Sequence, residues 1–159
     1  MNTVKQTQVS NLKLKNAQQK RIQQWKNSVD AFFQKLRQSI ENPSATNGPR
    51  KRTVCNVVIE PLRTRVTEVD GASYTIAGLS LEKNGRIVSL EPKSSKTIGF
   101  GGRIDVLLPN GNRAFSVIRK GNSWKKMVPV KEIPALLKMD EPGDFSMEKI
   151  GEDVLKCLK

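Results

Sequence analysis

Hydrophobic spacing changes along this chain, and each change marks an expected element. From Asn16 to Glu41, Ile22, Trp25, Val29, Phe32, Leu36 and Ile40 recur every three or four residues, which places them on one side of an α-helix. Gln, Lys and Arg fill the other side. Ahead of that stripe, residues 1–15 are polar, with apolar positions too scattered to bury a face, and they read as a flexible basic arm. Residues 42–52 contain two prolines and a glycine, which end the helix and make a basic linker.

Beyond the linker the pattern turns to β. Residues 53–59 are rich in β-branched side chains, and Leu62, Thr64 and Val66 alternate with Arg63, Arg65 and Thr67, as in a half-buried strand. Asp70-Gly71, Asn84-Gly85, Asn110-Gly111 and Gly121-Asn122 then punctuate the chain with tight-turn signals. Strands are expected at Ala72–Glu82, Arg86–Glu91, Arg103–Leu108, Arg113–Arg119 and Ser123–Val128. With the two earlier strands they make a meander domain over 53–128.

Residues 129–159 form the last segment, with a short turn of helix at Ala135–Met139, a loop through Glu141-Pro142-Gly143 and a helix from Phe145 to Leu158 capped by Asp144. Met147, Ile150, Val154, Leu155 and Leu158 give that helix an apolar stripe for packing on the domain. The expected fold class is therefore α+β. It joins a long N-terminal amphipathic helix, an antiparallel meander of about seven strands, curled as a small barrel or bent sheet, and a C-terminal helix.

Charge narrows the function. The chain has 159 residues, the size of one domain, and a formal charge of +13. Residues 1–52 carry +9, residues 53–128 carry +6 and residues 129–159 carry −2. Such a field concentrates polyanions near the N-terminal two thirds, and phosphate backbones are the commonest polyanion.

The catalytic inventory is thin. There are no histidines, which removes the commonest general base and metal ligand, and no cofactor or metal site is expected. A metal-dependent nuclease would use Asp105 and Lys120 on neighbouring strands. Ile118 occupies the place of the second carboxylate, so the expected role of Asp105 is to pair with a neighbouring arginine or to terminate a strand. Cys55 and Cys157 lie in different elements, and no apolar leader opens the chain, which predicts a reducing, cytoplasmic location. No run approaches the roughly 20 apolar residues that span a bilayer, so no membrane partner is expected.

The leading expectation is a non-catalytic accessory protein that contacts DNA or RNA through phosphates. Its candidate contacts are Lys13, Lys15, Lys20 and Arg21 on the arm and helix and Arg50, Lys51 and Arg52 on the linker. Arg63, Arg65, Arg103, Arg113, Arg119, Lys120, Lys125 and Lys126 are the candidates in the meander. Trp124, beside Lys125-Lys126, is a candidate for base stacking, although core packing is the readier role for a scarce aromatic. Ile98-Gly-Phe-Gly-Gly-Arg103 resembles an anion loop, but a strand follows the glycines and a bulge or sharp bend explains them better. A second expectation comes from helix length. About 26 residues run some 39 Å, more than a small β domain covers, so Ile22, Trp25, Val29, Phe32 and Leu36 are candidates for an interface with a protein partner or a second copy.

Overall fold

The computed structural model describes residues 2–41, 56–96, 101–130, 137–139 and 146–159, with backbone alone for 2–10, 137 and 139. Helix α1 spans Asn2–Glu41, 40 residues. It starts at Asn2 and not at Asn16, so the segment expected as a flexible arm is helical from its second residue. The physical reason is propagation. Once the Trp25–Ile40 segment is docked, each further residue adds a hydrogen bond without a new nucleus, and this stretch has neither Pro nor Gly to stop it.

The stripe on α1 is buried as its spacing predicts: Trp25, Val29, Phe32, Leu36 and Ile40 all lie inside. They pack into the molecule's own core, against the sheet and, at Leu36 and Ile40, against the C-terminal helix. This corrects the expectation of a protein interface at Trp25, Val29, Phe32 and Leu36, since none of the four is more than 1% exposed. Ile22, half-buried, marks where cover from the sheet begins to fail.

The sheet has seven antiparallel strands in sequence order, β1 (Val58–Thr67), β2 (Ser73–Lys83), β3 (Arg86–Ser94), β4 (Arg103–Leu107), β5 (Arg113–Lys120), β6 (Ser123–Pro129) and β7 (Leu137–Met139). Its edges β1 and β7 do not pair, so the sheet stays open and is not a barrel. All four predicted turns fall between strands. At Asn84-Gly85 both residues have positive φ, 53° and 76°, the two-residue hairpin turn whose twist matches its strands.

Two local expectations are corrected. The first two predicted strands join, within the described residues, into a single β1 that runs through Pro61. A proline breaks a central strand but is tolerated at an edge, where its nitrogen can face away from the ladder, and β1 is an edge. Leu137–Met139, expected in a helical turn, is instead strand β7, held by pairing of Val128 with Lys138 and of Met127 with Met139. A free edge on β6 overrides a weak helical preference.

Helix α2 covers Met147–Lys156. Its N-cap is Ser146, whose hydroxyl accepts the Lys149 N–H at 3.3 Å; Asp144, the expected cap, lies outside the described residues. Ile150, Val154 and Leu158 are buried, and α2 lies close along α1. Gly151 makes the approach possible, because a Cβ there would stand 2.7 Å from Ser39 Oγ.

A second glycine seats α1 on the sheet. A Cβ on Gly102 would lie 2.3 Å from Trp25 Cζ3, and Gly102 has φ 141°. The indole thus lies directly against the backbone that leads into β4. Gly102→Ala is expected to cost more than about 2 kcal/mol in urea unfolding, combining backbone strain with an overlap of core atoms. Gly111→Ala is the control: it has φ 79° and open space around the new methyl, so it should cost only the strain, about 1 kcal/mol. Equal losses in the two variants would remove the Trp25 contact from this explanation.

Candidate nucleic-acid interface

The predicted contact residues separate into those the fold uses and those it leaves free. Arg21 donates to Asp70 Oδ2 at 2.8 Å and, through Nε, to Ser95 Oγ at 3.1 Å. Lys126 Nζ pairs with Asp153 Oδ2 at 2.8 Å, joining β6 to α2. Arg103 Nε lies 3.1 Å from Asp105 Oδ1, and Arg113 lies 3.9 Å from Asp105 Oδ2. Ser116 donates to the same carboxylate.

Asp105 is 4% exposed, and a polar group so buried is costly unless partners of this kind satisfy it. Of the two roles expected for it, pairing with a neighbouring arginine is the one it has. Lys120, its proposed companion in a nuclease site, stands four residues along β5 from Ser116, the cross-strand partner of Asp105. At strand rise that is about 13 Å away along the sheet. Among the described residues no group of three or more Cys, Asp or Glu side chains is placed to hold a metal.

The cations left free do not share one face. Lys13, Lys15 and Lys20 are exposed on α1, Arg63 and Arg65 are exposed on β1, and Lys120 is exposed at the end of β5. Half-buried Lys125 shares the sheet face of Lys120, because Lys120 pairs with Ser123 in the β5–β6 register. None of these six exposed cations nor Lys125 forms an ion pair among the described residues. Arg50, Lys51 and Arg52 lie outside the described residues.

Among the free groups, α1 makes the most coherent one. No acidic residue occurs from Asn2 through Val29. Residues 11–20 are exposed apart from half-buried Gln18, so Lys13, Lys15 and Lys20 stand on a stretch of helix beyond the cover of the sheet. Lys13 and Lys20, two turns and about 10.5 Å apart, lie on nearly the same face, whereas Lys15, two residues from Lys13, points to nearly the opposite side.

The described part of the glycine loop, Gly101 and Gly102, serves packing and pairing. The Gly101 N–H donates to the Arg119 carbonyl at 2.8 Å, and the Arg119 N–H donates to the Gly102 carbonyl at 2.9 Å. These groups extend the β4–β5 ladder and are not presented to an anion. Ile98, Gly99 and Phe100 lie outside the described residues. Trp124 is half-buried, its ring centroid 4.6 Å from that of Phe32 and 6.0 Å from that of Trp25, so it borders the core as its scarcity suggested.

A residue with no sequence signal anchors the region where α1 leaves the sheet. Glu68, 4% exposed, accepts hydrogen bonds from Tyr74 Oη, from Ser94 Oγ at 2.8 Å and from the Ser95 N–H at 2.8 Å. Burial pushes its pKa up, but the bonds from Tyr74, Ser95 and Ser94 together outweigh burial and leave it below its ordinary value. Tyr74 moves the other way, because burial and the Glu68 carboxylate both resist loss of its proton. Glu68 thereby ties the β1–β2 turn to the end of β3, beside the Arg21–Asp70 pair.

No protein-family model, curated protein or solved structure matches the chain. Fold and surface alone define its class: an open antiparallel sheet with two helices and a basic, largely uncovered helix end. Among the described residues no helix is long and apolar enough to cross a membrane.

The Glu68 network fixes a pH dependence. A carboxyl whose folded pKa is depressed contributes stability that is complete above its unfolded value, near 4.5, and is lost as pH falls through the lower folded value. Glu68→Gln should therefore lower stability at pH 7 by about 1.5–3 kcal/mol and flatten the fall in stability below about pH 4.5. Urea midpoints of both proteins across the acid range test this; parallel curves would show that Glu68 is not the titrating group.

Proposed function

We propose that the protein is a non-catalytic nucleic-acid-binding accessory protein that contacts DNA or RNA mainly through phosphates, with the exposed part of α1 as its principal contact. The observation that carries this reading is the acid-free stretch of α1, where Lys13, Lys15 and Lys20 stand exposed and without ion pairs among the described residues. Cations held apart from carboxylates keep their full attraction for a phosphate polymer. Binding releases the counterions condensed on that polymer, which makes affinity fall steeply with salt. Arg63, Arg65, Lys120 and Lys125 add to the long-range field that draws a polyanion in.

Arg21, Arg103, Arg113 and Lys126 have a smaller part in this reading, because each is engaged with a carboxylate of the chain. Two further features support a binding role without catalysis. The sequence has no histidine, and Asp105 is enclosed by Arg103, Arg113 and Ser116. A cytoplasmic location fits the two cysteines, of which Cys157 is a free thiol.

Docking of a protein partner on the exposed part of α1 is less well supported. Leu12 and Leu14 are 61% and 68% exposed there, but residues two apart on a helix point to nearly opposite sides. They form no stripe that a groove could receive.

The test is a titration with duplex and single-stranded oligonucleotides over a series of salt concentrations. Replacing Lys13 and Lys20, which share a face of α1, together with glutamine should weaken binding and reduce the slope of log affinity against log salt by roughly 2, since each phosphate that a lysine neutralises on duplex DNA accounts for about 0.9 of that slope. An unchanged slope would show that α1 does not lie on the phosphates.

A further inference from the structure

Beside the core, α1, the β5–β6 turn and α2 enclose a groove of about 340 Å³. Phe32, Trp124, Met147 and Ile150 make its apolar lining, while Lys35 and Arg119 bring positive charge to it. This volume is at the lower end of the range, about 300–1,000 Å³, in which small-molecule sites fall. Trp124 is well suited to a planar ligand. Its indole is backed by Phe32 and Trp25, so it is held in place before anything binds.

One of the two cations is also set in advance. Arg119 Nε donates to the Gly121 carbonyl at 3.0 Å, which fixes the guanidinium at the mouth of the β5–β6 turn. Neither Arg119 nor Lys35 forms an ion pair among the described residues. Lys126, on the same side of β6 as Trp124, is engaged with Asp153 and does not compete for the site. The groove therefore combines a rigid aromatic wall, an apolar floor and two cations that no carboxylate of the described residues neutralises. That combination matches a flat, weakly polar ring joined to an anion.

We propose that this groove takes one unstacked nucleotide of a single-stranded nucleic acid, with the base against Trp124 and its phosphate between Arg119 and Lys35. The proposal rests on the phosphate-binding reading above and deepens it. The exposed stretch of α1 attracts either strand form through charge, whereas the groove accepts a base only when it is free of a duplex. Stacking on an aromatic side chain contributes without regard to base identity, so the expected preference is for strandedness and not for sequence.

The test compares a short single-stranded DNA oligonucleotide, the duplex of the same length, a free mononucleotide and polyglutamate as an acidic polymer. The proposal predicts that the single strand binds more tightly than the duplex at equal salt and quenches indole fluorescence, and that the mononucleotide competes weakly at the same place. Trp124→Ala should weaken single-strand binding at least about fivefold, leaving duplex affinity and the salt slope as they were, while Trp124→Phe retains most of the preference. Because Trp124 also borders the core, Ala31→Phe provides an independent variant: Ala31 lines the groove from an exposed position of α1, and the larger side chain should block it with the same selective loss.

Equal binding of single strand and duplex, unaltered by Ala31→Phe while the salt slope persists, would remove the groove and leave the phosphate reading standing. Polyglutamate displacing the single strand at equal charge concentration would overturn the nucleotide assignment in favour of an acidic protein. Absence of binding to every polymer at low salt would defeat both readings together.

Discussion

The structure depends on the burial of one helical stripe against its own sheet. Trp25, Val29, Phe32 and Leu36 are the side chains of α1 most completely withdrawn from water, and the rest of the molecule is arranged around them. Gly102 leaves room for the Trp25 ring, Trp124 closes the side of the cluster, and Gly151 lets α2 come close enough to cover the C-terminal half of α1. A cluster of this kind has a fixed extent. The sheet covers the helix from about Ile22 onward, and the described side chains of the turns before it are mostly polar or cationic, with Leu12 and Leu14 exposed among them.

That division also organises the charge. Where the chain needs cations for its architecture, it supplies a carboxylate: Asp70 for Arg21, Asp105 for Arg103 and Arg113, Asp153 for Lys126 and Lys156. Each such pair lies at least partly out of water, where an uncompensated charge is costly. Lys13, Lys15 and Lys20 have no such arrangement among the described residues, and a solvated helix end needs none. The large net charge is thus not spread uniformly in its effect. It is locally cancelled over parts of the sheet and left active on α1 and on scattered strand positions.

Much of the fold was legible in the sequence because short-range physics decides it. The three-and-four spacing from Ile22 to Ile40 marked the buried stripe, and Asn84-Gly85 marked a hairpin turn through its tolerance of positive φ. Failures arose where a decision is made elsewhere in the molecule. Pro61 reads as a strand breaker until β1 is known to be an edge, Leu137–Met139 reads as helix until β6 offers it a ladder, and the true start of α1 depends on docking that occurs many residues later. The candidate site was legible in its residue types and not in its pairing. Arg103 and Arg113 meet Asp105 only through the β4–β5 register, Arg21 meets Asp70 across 49 residues, and Glu68 owes its position to Tyr74, Ser94 and Ser95 with no local pattern to announce it. Trp124 carried two meanings in the sequence, core and stacking surface, and its place at the border of the cluster makes the two compatible.

Hydrogen exchange along α1 tests this division most directly, since amide protection reports how firmly each turn is held. The account predicts that amides from Trp25 to Ile40 exchange as slowly as those of Leu81, Val88 and Leu90, that protection falls off N-terminal to Arg21, and that a single-stranded oligonucleotide at low salt slows exchange over Asn11–Lys20. Rapid exchange across Trp25–Leu36 would contradict the docked stripe, and an oligonucleotide that leaves Asn11–Lys20 unchanged would contradict the role given to the uncovered helix.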